Sequence, residues 1–230
     1  MNLDIYKKQA AARAAAYIQS GMVVGLGTGS TAVHLVRILG EKLAKGELVN
    51  VIGIPTSEAT AVEAKRCNIP LTNLSQHPHI DITIDGADEV DPHLNLIKGL
   101  GGALLREKIV AAASGQMIVI GDTTKKVSQL GSRAPVPVEV IPFAQSPVFQ
   151  FLTAIHANPR LRMDKNNPDQ PFITDEGNII LDCYTGPIDN PQALAQTIIQ
   201  QPGVVEHGLF LGMATRVILA GENGIEEMGK

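Results

Sequence analysis

Residues 4 to 19 are rich in Ala with scattered charges, a composition that favours helix, and Gly21 follows where a C-cap glycine belongs. Met22 to Leu26 is a short apolar run broken by Gly27, Thr28 and Gly29. After it Val33, Leu35, Val36, Leu39 and Leu43 recur at helical spacing, so the pattern predicts strand, glycine loop, helix. Val49 to Ile54 and then Ser57 to Cys67 repeat that order, with Ser57 as N-cap. Ile82 to Ile84 and Met117 to Ile120 read as two more strands, separated by an Ala-rich helix over 103–113. Such alternation predicts a parallel sheet covered by helices.

Beyond about residue 132 the texture changes. Pro135, Pro137, Pro142 and Pro147 crowd a segment in which Val136, Val138 and Val140 alternate with other residues, as they do in a strand. The pattern then predicts a helix (147–156), a strand near 160–163, a strand (172–174) turning at Asp175 to Asn178 into another (179–183), a helix (191–200) and a strand over 203–206. This order suggests a small α+β unit of the split-βαβ, ferredoxin-like kind over 132–207. The apolar runs Leu209 to Leu211 and Arg216 to Ala220 are expected to return to the first sheet, which gives a first domain of 1–131 plus 208–230, ending in a polar tail.

Composition narrows the functional classes. The chain is 44% hydrophobic and only 18% charged, so it can bury a full core. Its net charge of −4, with no longer basic run than Lys125-Lys126, offers no footprint for a nucleic-acid backbone, and with no Trp, 3 Tyr and 5 Phe it has few stacking platforms. No apolar run approaches the roughly 18 residues of a membrane span, and the N-terminal stretch lacks the apolar core of a signal peptide. Cys67 and Cys183 stand far apart without metal-ligand spacing, so a reduced, cytoplasmic setting is the simple expectation.

In an open parallel sheet ligands sit at the carboxyl ends of the strands, so the residues just past each strand matter most. Gly27 to Thr31 opens a helix, where backbone N–H groups, the helix dipole and the hydroxyls of Thr28, Ser30 and Thr31 would hold a phosphate; a tight turn that binds nothing is the alternative. Neither a dinucleotide fingerprint nor a P-loop is complete there. Asp85, Asp88, Glu89 and Asp91 crowd the next strand end. Glu89 and Asp91 read as a solvated loop, whereas Asp85 and Asp88 divide between a functional and a turn or cap role. A metal is not expected, because no His or Cys stands at ligand spacing. Lys98 precedes Gly99, Gly101 and Gly102 at the start of a helix, a second potential anion cradle. Within that helix the charges are confined to Arg106, Glu107 and Lys108. Glu107 has apolar neighbours a turn away on either side, a setting that suits a general base, but so have Arg106 and Lys108, and a charged solvent face accounts for the trio equally well. Asp122 to Lys125 is the fourth polar strand end. No hydrolase triad is supported.

These segments together, Gly25 to Thr31, Asp85 to Glu89, Lys98 to Ala103 followed by Arg106 to Lys108, and Pro135 to Val140, resemble the ribose-5-phosphate isomerase A family, and the resemblance covers essentially the whole chain. It implies an α/β fold, a Rossmann-like domain joined to a smaller α+β domain, assembled as a homodimer or homotetramer. It also implies interconversion of D-ribose 5-phosphate and D-ribulose 5-phosphate in the pentose phosphate pathway, with neither cofactor nor metal. Carried onto matching positions, Thr28, Gly29, Ser30 and Thr31 would bind substrate, as would Asp85, Gly86, Ala87 and Asp88, and Lys98, Gly99, Leu100 and Gly101. Lys125 would be a further contact, and Glu107 the acceptor that moves a proton between C2 and C1. Leu100 departs from the family, which commonly has glycine there.

The reaction's needs fit those roles. Removing a proton next to a carbonyl makes an enediolate whose oxygen requires preorganised donors, for which Lys98 and nearby amides are candidates. Asp85 and Asp88 would relay protons at the sugar oxygens, and the phosphate would supply orientation. Two alternatives stay open: a related enzyme acting on a six-carbon phosphate, and a sugar-phosphate sensor that binds without proton exchange.

Overall fold

A computed structural model describes residues 3–229. In chain order its elements are α1 (Leu3–Ala15), β1 (Val23–Leu26), α2 (Ala32–Ala44), β2 (Ile52–Pro55), α3 (Glu58–Arg66), β3 (Ile80–Gly86), β4 (Glu89–Val90), β5 (Leu96–Ile97), α4 (Leu104–Ala112) and β6 (Ser114–Asp122). They continue with β7 (Val136–Val140), α5 (Gln145–Ala154), β8 (Pro159–Leu161), β9 (Ile179–Cys183), α6 (Pro191–Ile199), β10 (Val204–His207), β11 (Leu209–Phe210), β12 (Arg216–Gly221) and β13 (Gly224–Gly229). The chain divides into two compact units. One holds the residues up to Ala87, Arg106–Lys125 and those from Gly212 on; the other holds Asp88–Leu105 and Lys126–Leu211.

The first unit is built on a six-stranded sheet in the order β13-β12-β6-β3-β1-β2, parallel except for the β12–β13 pair. From β1 the chain steps outward to β2, then returns to the other side of β1 through β3, β6 and β12. The strand order therefore reverses between β1 and β3, and the crevice at such a switch point is where open α/β sheets bind ligands. Small side chains let α1 lie close: Ala10, Ala11, Ala14 and Ala15 are fully buried with Leu35, Leu39, Ile82 and Ile84. Ser57 caps α3 as expected, its hydroxyl accepting from Thr60 N at 3.1 Å.

The second unit carries a four-stranded antiparallel sheet, β10-β7-β9-β8, with α5 and α6 between its strands in the chain. In sequence this is βαββαβ with spatial order fourth, first, third, second, the split-βαβ arrangement. Its core gathers Val136, Val138 and Val140 with Val148, Leu152, Leu181 and Ile198. A three-stranded ribbon, β11-β5-β4, completes the unit.

Several expectations need correction. The first helix ends at Ala15, not 19; tight turns follow, and Gly21 takes its positive φ of 86° outside the helix. The second strand starts at Ile52, because Asn50 turns the chain at φ 57°. Pro147 does not begin α5; it lies in the first turn of a helix that starts at Gln145, where its missing N–H costs nothing. Residues 172–174 make only an isolated bridge, Ile173 to Ile179, since one tight turn leaves no room for a ladder. Leu209 and Phe210 pair with Leu96 and Ile97 rather than rejoining the six-stranded sheet. The polar tail is strand β13, held along its length by β12. Among the described residues no helix is long and apolar enough to cross a membrane.

Candidate functional site

In the first unit the glycine loop leaves β1 at the switch point, and Asp85, the next-to-last residue of β3, lies beside it. Asp85 is fully buried, and its Oδ1 accepts from Thr28 N at 3.0 Å and from Gly86 N at 2.7 Å. Only glycine fits at position 27: a Cβ there would lie 2.3 Å from Asp85 Oδ1 and 2.5 Å from its Cα. Thr31 is the N-cap of α2 but its side chain makes no capping bond. Lys7 Nζ donates to Ser30 Oγ at 3.0 Å, which brings a cation from α1 to the same helix start. Thr28 faces the other way, its Oγ1 lying 2.7 Å from Thr56 Oγ1, 2.9 Å from Ser57 Oγ and 3.1 Å from Thr60 Oγ1. Thr60 and Thr56 also donate to the carbonyls of Gly27 and Leu26, both at 3.0 Å. A buried hydroxyl cluster thus fixes the loop from below.

Sequence reasoning does not single out Lys7, Thr56 or Thr60, and reads Ser57 only as a cap. A signal exists for three of them: Thr56, Ser57 and Thr60 follow β2 as a fifth polar strand end. Lys7 gives none, since its role depends on α1 packing across α2.

Glu107 is buried, at 5% exposure, so the solvent-face reading does not hold for it. Arg106 turns outward to Glu58 at 2.8 Å, and that hydrogen bond and charge hold the Glu58 carboxyl below its ordinary range. Both Asp85 and Glu107 are engaged by other groups, while Asp85 Oδ2 and Glu107 Oε2 are buried oxygens accepting no hydrogen bond from the described residues. Lys125 ends a short 3-10 turn after β6 and is half-buried; Gly29 and Ser30 are exposed, and Gly86 and Ala87 half-buried.

In the second unit Lys98 is 2% exposed, with its Nζ 5.4 Å from the centroid of Phe210, a cation–π contact, and its backbone N–H donating to Gly208 O. Gly99 adopts φ 104°, and a Cβ there would press within 2.7 Å of Leu104 Cβ. Leu100 N donates to Asp88 Oδ2 at 3.0 Å, so Asp88 and the Lys98 loop come together. Leu100 is 40% exposed and, with Gly101, Arg162, Met163, Phe172 and Tyr184, lines a cavity of about 560 Å³.

Glu89 and Asp91 are not solvated, contrary to expectation. Glu89 is 1% exposed and accepts from the N–H groups of Gly131, Arg133 and Ala134 at 2.5 to 2.7 Å. Asp91 accepts from His93 N, Asn95 N and Asn95 Nδ2. Both carboxylates organise turns. Among the described residues no group of three or more His, Cys, Asp or Glu is placed to hold a metal ion.

The first unit thus pairs a hydroxyl- and amide-rich helix start, suited to phosphate, with buried carboxylates suited to proton transfer, and the second holds a buried ammonium. Residues 52–224 match the family model described as ribose 5-phosphate isomerase A (phosphoriboisomerase A). The chain is 53% identical over 228 residues to ribose-5-phosphate isomerase A of Roseiflexus castenholzii, covering 99% of this chain and 97% of that one. Its counterpart in Bradyrhizobium diazoefficiens is 52% identical over 98% and 95% of the two chains. A solved D-ribose-5-phosphate isomerase in complex with phospho-erythronic acid superposes with a TM-score of 0.97 at 42% identity over both full chains. The ribose 5-phosphate isomerase A of Methanocaldococcus jannaschii gives 0.94 at 38% identity over 99% of each.

Proposed function

Since this chain belongs to the ribose-5-phosphate isomerase A family and is on that ground an isomerase, we propose that it interconverts D-ribose 5-phosphate and D-ribulose 5-phosphate through an enediolate. The observation that carries this reading is the switch-point pairing of the α2 glycine loop with buried Asp85, tied by the Thr28 N–H. A helix start rich in amides and hydroxyls at a switch point supports a phosphorylated ligand, and the neighbouring carboxylate supports proton transfer on it. The phospho-erythronic acid of the 42% identical structure supports a ligand of that chemistry.

In this reading the amides and hydroxyls of Gly29, Ser30 and Thr31, with Lys7, take the phosphate, and Lys125 is a further substrate contact. Binding energy from the phosphate, remote from the reacting carbons, orients the chain for the chemical step. Glu107 takes the proton from the carbon beside the carbonyl and returns it to the neighbouring carbon. The ammonium of Lys98 and amides of the Gly99 to Gly101 loop stabilise the enediolate oxygen, whose charge exists only along the reaction path. Asp85 and Asp88 serve the sugar hydroxyls, passing protons during ring opening.

Proton NMR of ribose 5-phosphate with the purified protein in D₂O, with a chelator present, tests the reading. Ketose formation with deuterium at the carbons flanking the carbonyl is expected. A folded protein that produces neither ketose nor exchange would sink it.

A further inference from the structure

We infer that Arg162 is the positioning residue of the Lys98 loop, fixing the peptide on which both Lys98 and Asp88 depend; the inference rests on the isomerase reading above. Arg162 follows β8, well away in sequence from every candidate residue. Its Nε and Nη2 grip both carboxylate oxygens of Asp182 on β9, the Nε–Oδ2 distance being 2.9 Å, and the two side chains are only 12% and 13% exposed. That bidentate pair fixes the guanidinium plane. The remaining nitrogen, Nη1, donates to the carbonyl of Gly99 at 2.9 Å and lies 3.3 Å from that of Leu100.

The Gly99 carbonyl and the Leu100 N–H belong to one peptide unit. Arg162 holds the first and Asp88 Oδ2 accepts from the second at 3.0 Å. In a trans peptide these groups point in opposite directions, so the two side chains grip opposite edges of a single plane. The plane follows Gly99 at φ 104°, a conformation that glycine adopts readily and other residues rarely do, so the residue's own freedom does not fix the plane. On the next turn of the loop the ring of Phe172 occupies the space a Cβ on Gly102 would need, and its centroid is 6.0 Å from the Arg162 guanidinium. Releasing the Gly99 carbonyl would let the plane rotate, cost Asp88 its amide donor, and loosen the backbone that carries Lys98. Lysine cannot replace the arginine here, because one ammonium has no fork to span a carboxylate and two carbonyls.

Steady-state kinetics with ribose 5-phosphate on wild type and Arg162→Lys, joined to amide hydrogen exchange, test this. Arg162→Lys is expected to lower kcat by about 10- to 100-fold with little change in KM, as a small misplacement of the reacting groups does. Amides of Gly99 to Gly102 should exchange faster while those of β7 and β9 keep wild-type rates. If Arg162→Lys does not fold, Arg162→Gln/Asp182→Asn removes both charges together and takes the same measurements. An active wild type alongside an unchanged kcat in the variant overturns the positioning role alone. Faster exchange throughout β7 and β9 with proportionate loss of activity also overturns it, since Arg162 would then be supporting the fold in general. An inactive, folded wild type overturns the isomerase reading instead, and this inference with it.

Discussion

The backbone N–H of Thr28 donates to Oδ1 of Asp85 across 3.0 Å, joining the loop after β1 to a carboxylate near the end of β3. The approach is possible because residue 27 has no side chain. Gly27→Ala would set a Cβ against both the carboxylate and the backbone of residue 85, and the backbone cannot swing aside. We expect a loss of about 1–3 kcal/mol in unfolding free energy, as for overpacked cores, and loss of affinity for inorganic phosphate. Denaturant titration and calorimetry on the purified variant would read both, and wild-type values for either would show that the contact is not limiting.

Glu107→Gln keeps the size of a buried side chain while removing its basicity. Turnover of ribose 5-phosphate should fall by at least about 10²- to 10⁴-fold, the usual contribution of a positioned acid or base, with binding of phospho-erythronic acid retained. Near-wild-type turnover would take Glu107 out of the base role.

Glu89 spends both oxygens on three backbone donors of the 131–134 turn. Glu89→Gln replaces one acceptor with an NH₂ group aimed at N–H donors, so about 1–3 kcal/mol of stability should disappear. The midpoint of urea unfolding measures it, and an unchanged midpoint would mean that the turn finds other acceptors.

Glu139, buried on β7, has its carboxyl pushed above the ordinary 4.5 by burial, against the opposing pull of hydrogen bonds from Asn178 Nδ2 and Thr174 Oγ1. The folded chain therefore holds this proton more tightly than the unfolded chain does, and stability falls as pH rises through that window. Relative to Glu139→Gln, the wild type should gain stability as pH drops from above the raised pKa toward 4.5, and no more below it. Paired urea titrations across pH would expose a flat or inverted difference.

The elements legible in the chain are those that local pattern decides. β9 starts on the apolar run Ile179 to Leu181 straight after the turn at 175–178, and Ser57 announces α3; both stand where the pattern puts them. β13 is not legible, because Ile225 and Met228 among Gly and Glu make no strand signal, and its pairing with β12 settles the matter. The burial of Glu89 is equally hidden, its donors arriving from more than forty residues downstream. For Glu107 the helical face is readable, but whether that face meets solvent or protein is a tertiary fact. Among the candidate site segments the glycine loop, Asp85 and Lys98 stand out by residue type. Arg162 does not, since an arginine after a strand has no meaning until Asp182 and the Gly99 carbonyl are placed around it.

The second unit draws on two separated stretches, Asp88–Leu105 and Lys126–Leu211. A gene fragment encoding only the longer stretch would leave β11 with neither β5 nor β4 and the 131–134 turn without the Glu89 carboxylate. Limited proteolysis between the stretches should therefore release no independently folded piece. Chimeras with relatives face the same constraint: a single crossover inside 106–125 takes one stretch of this unit from each parent, so only exchanges that carry both stretches together keep its hydrogen bonds in one lineage.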